Sequence, residues 1–131
     1  MAVAASPLRV LIVDDNADSA ESMAVLLKMD GHAVRTAADG PGALAIAAEF
    51  APQAVILDVG LPQMDGYEVA RRLRSLDACR SSLVIALTGY GRAEDRTCAL
   101  AAGFDEHIVK PADPEALAGR LATYRDRHKF A

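Results

Sequence analysis

Apolar and polar positions fall in blocks along this chain, and the blocks have two different periods. Leu8-Arg9-Val10-Leu11-Ile12-Val13, Ala54-Val55-Ile56-Leu57 and Leu83-Val84-Ile85-Ala86-Leu87-Thr88 are short, nearly continuous apolar runs. Runs of that length, bounded by turn-forming residues, fit strands buried on both faces. His32-Ala33-Val34-Arg35-Thr36 is more polar, as an edge strand should be. His107-Ile108-Val109-Lys110 is a fifth strand, stopped by Pro111.

Between the runs the spacing changes to that of a helix. Ala20, Met23, Ala24 and Leu27 form one stripe after Asn16, whose side-chain oxygen can cap a helix, and Gly31 ends it. Asp39-Gly40-Pro41 opens an alanine-rich helix that runs as far as Glu49 and is broken at Ala51-Pro52. Met64-Asp65-Gly66 leads into a third, with Val69, Leu73 and Leu76 buried and Arg71, Arg72 and Arg74 facing out. A fourth, over 93–102, follows the turn Gly89-Tyr90-Gly91 and is closed by Gly103. Leu100 is its one large apolar residue, so it is expected to be the most weakly held. The last begins at Asp113-Pro114 and is lined by Leu117, Leu121 and Tyr124, with Arg125, Arg127 and Lys129 suiting the negative end of its dipole. Five strands alternating with five helices predict an α/β fold, a parallel sheet with helices on both faces. The strands carrying Asp58 and Thr88 are the most apolar and are expected at its centre.

Composition narrows the function. At 131 residues the chain is the size of one domain. A net charge of −4 argues against direct nucleic-acid binding by the bulk surface. No apolar run is long enough to span a bilayer, so no membrane insertion is expected. Residues 1–7 lack a basic start and a long apolar stretch, which excludes a signal peptide and reads as a disordered lead-in. Cys79 and Cys98 have neither metal-ligand nor disulfide-framework spacing, so a reducing, cytoplasmic setting is the default. Met23, Met29 and Met64 read as packing residues.

The chemistry lies at the strand ends. Asp14 and Asp15, Asp58, Thr88 and Lys110 close four of the five strands. A parallel sheet gathers its carboxyl ends on one edge, where ligands of open α/β sheets bind. Three neighbouring carboxylates repel one another, and a divalent cation relieves that repulsion. Oxygen ligands of this kind select Mg²⁺ or Mn²⁺ over zinc. The set reads as a phosphoryl-transfer site: Asp58 attacks phosphorus, and the metal, Lys110 and the Thr88 hydroxyl stabilise the equatorial oxygens. Taken singly, each residue has an ordinary structural role as a helix cap, a strand-end hydroxyl or a solvated lysine. The combination at four strand ends is what carries the chemistry.

Four motifs, Val13-Asp14-Asp15-Asn16, Leu57-Asp58 with Leu61-Pro62-Gln63-Met64-Asp65-Gly66, Leu87-Thr88-Gly89 and Val109-Lys110-Pro111, occur in this order. Here the chain resembles the response-regulator receiver domains (CheY-like) of two-component signalling, over residues 8–127, with 128–131 as a tail. The resemblance implies a flavodoxin-like (βα)5 three-layer sandwich with strand order 2-1-3-4-5. It implies that Asp58 accepts a phosphoryl group from a sensor histidine kinase or a histidine phosphotransfer protein. Asp15, Asp58 and the backbone carbonyl of Gly60 would be direct Mg²⁺ ligands, and Asp14 would act through water. The Lys110–Pro111 bond would be cis, aiming the lysine. Phosphorylation would shift the surface of the fourth helix, fifth strand and last helix, which docks partners. The stretches 66–74, 86–91 and 103–111 also resemble receivers of hybrid histidine kinases. A monomer or weak homodimer is implied, and the output partner is not. No output domain follows Ala131 in this sequence, so output is expected by contact, or the chain is a phosphate sink or relay.

The chain departs from the family pattern at His107, where receivers commonly carry an aromatic switch residue. Either His107 follows Thr88 when a phosphoryl group draws it inward, or it is a strand residue with one face in solvent. A histidine there would also admit pH sensitivity. Gly60 and Tyr90 flank the acceptor; Gly60 offers no shield and Tyr90 can cover the site, so they act in opposite directions on phosphoryl lifetime. Three rivals stand beside the signalling module, which catalyses only its own phosphorylation and dephosphorylation. A phosphate-independent adaptor would lack the acids or the lysine. An aspartate-nucleophile phosphohydrolase of the haloacid dehalogenase type would carry Asp-x-Asp after its first strand and a cap, and neither is seen. A nucleotide or flavin binder would need a glycine-rich phosphate loop that is absent from the sequence.

Overall fold

The computed structural model describes residues 8–61, 66–88, 100–109 and 113–127. The chain runs β1 (Arg9–Val13), α1 (Ala17–Met29), β2 (Ala33–Ala37), α2 (Gly40–Phe50), β3 (Ala54–Asp58) and α3 (Gly66–Ser75). A single 3-10 turn (Asp77–Cys79), β4 (Leu83–Thr88), β5 (Glu106–Val109) and a C-terminal helix (Pro114–Arg127) follow. All strand pairs are parallel, in the order β2-β1-β3-β4-β5. This is the order of the flavodoxin-like doubly wound fold.

Alternate residues of each central strand serve opposite cores, as the two-residue period requires. Leu11 and Val13, Val55 and Leu57, Val84 and Ala86 pack with Ala43 and Ala47 of α2 and Val69, Ala70 and Leu73 of α3. Val10 and Ile12, Ile56, Ile85 and Leu87 pack with Ala20, Ala24 and Leu27 of α1 and Leu117 and Leu121 of the C-terminal helix. Helices therefore cover both faces, and α1 and α3 leave the sheet on opposite sides. The carboxyl ends of β1 and β3 lie where those connections diverge, which opens a crevice between them.

Local signals hold where chemistry dictates them. Asn16 Oδ1 accepts from the Ser19 N–H and Asp39 Oδ1 from the Gly42 N–H, capping α1 and α2. Gly31 adopts φ 96°, and the Gly31 and His32 amides donate to the carbonyls of Lys28 and Leu27, closing α1 in a Schellman turn.

Several expectations are corrected. β2 starts at Ala33; His32 is instead buried, and its Nδ1 accepts from the Leu8 N–H at 3.1 Å. β5 starts one residue earlier than its apolar pattern suggested, at Glu106, and is described as far as Val109; Lys110 lies outside the described residues. Met29 does not pack: it is 67% exposed beside Val25 and Leu26 on α1. Of the fourth predicted helix only 100–102 are described; these are helical, and Leu100 is exposed while Ala102 and Phe104 make the buried contacts. Arg74, expected to face solvent with Arg71 and Arg72, is folded back onto backbone carbonyls. Met64, Cys98 and the Gly89-Tyr90-Gly91 turn lie outside the described residues.

Candidate functional site

The apolar pressure on β3 places its acid. Every residue of Ala54–Asp58 is buried, so the strand runs through the molecule and delivers Asp58 at its last position. β1 does the same for Asp14 and Asp15, which follow Val13 directly. One oxygen from each of Asp14, Asp15 and Asp58 lies within 4.8 Å of the others. Asp14 and Asp58 are only 7% and 6% exposed, whereas Asp15 faces solvent.

Backbone amides orient two of these carboxylates. The Asn16 N–H donates to Asp14 Oδ1 and the Gly60 N–H to Asp58 Oδ1, each at 2.9 Å. Both are turns in which an aspartate bonds the amide two residues on. Gly60 thus does something the sequence reading had not assigned to it: its N–H holds the Asp58 side chain. Gly66 is a second such case. A Cβ there would sit 2.4 Å from Val59 Cα and 2.9 Å from the Asp58 carbonyl, and the Gly66 N–H donates to the Val59 carbonyl at 3.1 Å. The start of α3 is therefore pressed against the backbone that carries Asp58. The glycine in Asp65-Gly66 was legible as a helix entry, but nothing local in the sequence points to this close approach.

β4, paired with β3 through Asp58↔Leu87, brings Thr88 to the same edge, 1% exposed. Its Oγ1 lies 3.0 Å from His107 Nε2 on β5. His107 is half-buried, opposite Ala86, and so shares a sheet face with Thr88. This contact is compatible with His107 following Thr88 and with a half-buried strand residue alike. Lys110, Pro111 and Tyr90 lie outside the described residues.

The donor set fits a small hard cation. Mg²⁺ holds oxygens at about 2.1 Å in an octahedron, so it spans ligand pairs up to about 4.2 Å apart. Side-chain rotations of a fraction of an ångström bring a 4.8 Å cluster into that range. Three carboxylates this close in a partly buried crevice repel one another, and a cation held among them relieves that repulsion. Among the described residues no nitrogen or sulfur ligand belongs to the cluster, which disfavours zinc.

Comparison with known proteins agrees with this geometry. The family model for the response regulator receiver domain matches residues 10–122. The response regulator MprA of a Mycobacterium species (strain KMS) is 40% identical over 115 residues, 88% of this chain and 49% of that protein. The chain thus spans about half the length of that regulator and of several other curated relatives. Among solved structures, a CheY-like receiver from Methanospirillum hungatei JF-1 superposes with a TM-score of 0.85 at 30% identity, covering 93% of this chain and 96% of that one. The receiver domain of a signal transduction histidine kinase from Syntrophus aciditrophicus gives 0.84 at 29%, covering 95% and 94%. A CheX–CheY–BeF3–Mg²⁺ complex from Borrelia burgdorferi gives 0.80 at 28%, covering 89% and 88%. Taken with the strand order and the three clustered acids, the match makes this chain a member of the response-regulator receiver domain family, a family of two-component signalling modules rather than enzymes.

Proposed function

We propose that this receiver takes up a phosphoryl group on Asp58 from a phosphohistidine of a sensor kinase or histidine phosphotransfer protein. A carboxylate oxygen of Asp58 forms a new bond to phosphorus as the phosphorus–nitrogen bond to the donor imidazole breaks, leaving an aspartyl phosphate. One observation carries the reading: Asp58 closes a fully buried strand within 4.8 Å of Asp14 and Asp15. A bound Mg²⁺ supplies positive charge at the phosphoryl oxygens; Asp15, Asp58 and the Gly60 carbonyl would hold it directly and Asp14 through water. The Gly60 N–H fixes one Asp58 oxygen, so the carboxylate is held in one orientation before the donor arrives. Thr88 donates its hydroxyl to a phosphoryl oxygen, and Lys110 offsets the charge that builds there.

The output follows from the Thr88–His107 contact. A phosphoryl group brings about −1.5 to −2 charge and strong acceptors to this edge. Drawing Thr88 toward them changes its 3.0 Å contact with His107, and with it the β5 surface offered to partners. The BeF3- and Mg²⁺-containing relative from Borrelia burgdorferi supports the metal and the acceptor chemistry by similarity. The histidine-kinase receiver from Syntrophus aciditrophicus supports a hybrid-kinase origin as readily as a freestanding one. No helix among the described residues is long and apolar enough to cross a membrane, and the proposed setting is the cytoplasm.

Intact mass after incubation with acetyl phosphate tests the reading. A gain of one phosphoryl group that requires both Mg²⁺ and Asp58, and is absent in Asp58→Ala, is expected. A folded, Mg²⁺-binding chain that gains nothing from acetyl phosphate, a histidine kinase or a phosphotransfer protein would instead be a phosphate-independent adaptor.

A further inference from the structure

β5 stands at one end of the strand order and carries no fully buried side chain among its described residues. Glu106, His107 and Ile108 are half-buried and Val109 is exposed, and none of the four is among the buried core residues. A strand without a fully buried face has a weakly specified register, and a slip of one residue turns every side chain to the other face. Such a slip would take His107 from opposite Ala86, on the face of Thr88, to opposite Ile85 or Leu87, which point into the other core. Ile108 alone packs, half-buried, against the core on the α1 side, so apolar burial gives the register little support and a second contact is needed to reinforce it.

A polar assembly at the opposite end of the sheet does so. The Asp105 N–H donates to the Val84 carbonyl at 2.8 Å, and the Val84 N–H donates to Asp105 Oδ2 at 2.8 Å. Asp105 thereby closes a ring with Val84, one rung before the Ile85↔Glu106 pair that begins the β4–β5 ladder. Arg74, at the end of α3, locks the ring. Its Nη2 donates to the same Asp105 oxygen at 2.6 Å, its Nε to the Gly103 carbonyl at 2.9 Å and its Nη1 to the Ser82 carbonyl at 2.7 Å. One guanidinium therefore ties the chain entering β4 to the chain entering β5. The fork geometry suits Arg and not Lys, which cannot meet these divergent acceptors from one nitrogen. Gly103 belongs to the same device: at φ 106°, a Cβ there would meet Arg74 Cγ at 3.0 Å.

We propose that Arg74 and Asp105 are positioning residues for the phosphoryl site, a register clamp that keeps His107 against Thr88 from the far end of β5. Neither touches the acids. The rate arm of the test rests on the phosphoryl reading; the structural arm does not.

The test compares Asp105→Ala, Asp105→Asn and Arg74→Gln in the full chain. Three quantities are read: Ala86–His107 cross-strand contacts by NMR, affinity for Mg²⁺ alone, and the rate of mass gain from acetyl phosphate. In Asp105→Ala the cross-strand contact should disappear and the rate fall about ten-fold, because small misplacements at a transfer site are costly. Mg²⁺ affinity, set by β1 and β3, should stay within about two-fold, as distant sites act independently. Asp105→Asn keeps an oxygen for the Val84 N–H and should retain the contact and most of the rate. Retention of contact and rate in Asp105→Ala overturns the clamp. So does a parallel loss of contact, rate and Mg²⁺ affinity that Asp105→Asn does not relieve, since that marks general loss of structure. If Asp105→Ala fails to fold, Arg74→Gln, which leaves the Asp105–Val84 ring and removes the ion pair, is read the same way with a smaller loss. A wild-type chain that gains no phosphoryl group would sink the phosphoryl reading, while the cross-strand contact would still decide the clamp.

Discussion

β3 and β5 end on the same edge of one sheet, yet they are held there by different physics. β3 is buried along its whole length, lies between β1 and β4, and delivers Asp58 to a fixed place. β5 pairs with one strand among the described residues, is half-exposed with only Ile108 packed on the core, and is tied at its start by an ion pair and backbone hydrogen bonds. The proposed acceptor therefore sits on the stiff part of the sheet and the proposed readout on the part that a small change in free energy can move. A signalling module needs that division: a rigid site can be modified identically each time, and a soft neighbour can report it.

Substitutions along this contrast sharpen it, beginning with the largest effect. Ile56→Ala, at a fully buried position of β3, should lower the unfolding free energy by about 4 kcal/mol. Denaturant melts would show it, and a loss under about 1 kcal/mol would mean the centre of the sheet is not close-packed. Gly66→Ala drives a Cβ into the Val59 and Asp58 backbone and should cost about 2–3 kcal/mol, with slower phosphoryl uptake because Asp58 is displaced. Near-normal uptake and stability in that variant would show that the loop after β3 can yield. On the soft side, Ile108→Ala should cost only about 1 kcal/mol, since Ile108 is half-buried and removes little apolar area. An effect equal to that of Ile56→Ala would erase the distinction between the two strands.

The smallest expected effect is a pH dependence. Tyr124 donates its hydroxyl to the Ser81 carbonyl at 2.9 Å, beside the clamp. Burial raises its phenol above the usual tyrosine range, with the Asp105 charge adding to the shift and the Arg74 charge opposing it. The neutral phenol is thus favoured on folding. Its contribution is fully present below the unfolded pKa of about 10 and is lost as pH rises through the folded value. Tyr124→Phe should flatten the alkaline limb of the stability–pH curve; an unchanged limb would place that titration elsewhere.

The stiff strands were the ones legible in the sequence. The apolar runs at 8–13, 54–57 and 83–88 admit one reading because burial on both faces leaves no alternative pattern. The caps at Asn16 and Asp39 and the left-handed Gly31 are local effects, readable from their neighbours. The acids were legible because parallel strands must end on one edge. The start of β5 at Glu106 was not legible because Glu106-His107-Ile108-Val109 has no fully buried residue to mark where the strand begins. Arg74 was misread because its acceptors at Ser82, Gly103 and Asp105 are distant in sequence, and its spacing beside Arg71 and Arg72 looks like an exposed face. Only the outward pair is exposed, both bonding Glu68 and holding its carboxyl below the usual range, with the Arg72 hydrogen bond foremost. His32 was missed for the same reason: its partner, the Leu8 N–H, is supplied by the neighbouring strand's entry and not by adjacent residues.

The most direct measurement is the location of the phosphoryl group. Protein treated with acetyl phosphate and Mg²⁺ is reduced with borohydride, which converts an aspartyl phosphate to homoserine, and its peptides are sequenced by mass spectrometry. Homoserine at position 58 alone, with Asp14 and Asp15 unchanged, is expected. Homoserine at Asp14 or Asp15, or a phosphorylated chain with position 58 intact, would contradict the assignment of Asp58 as the acceptor.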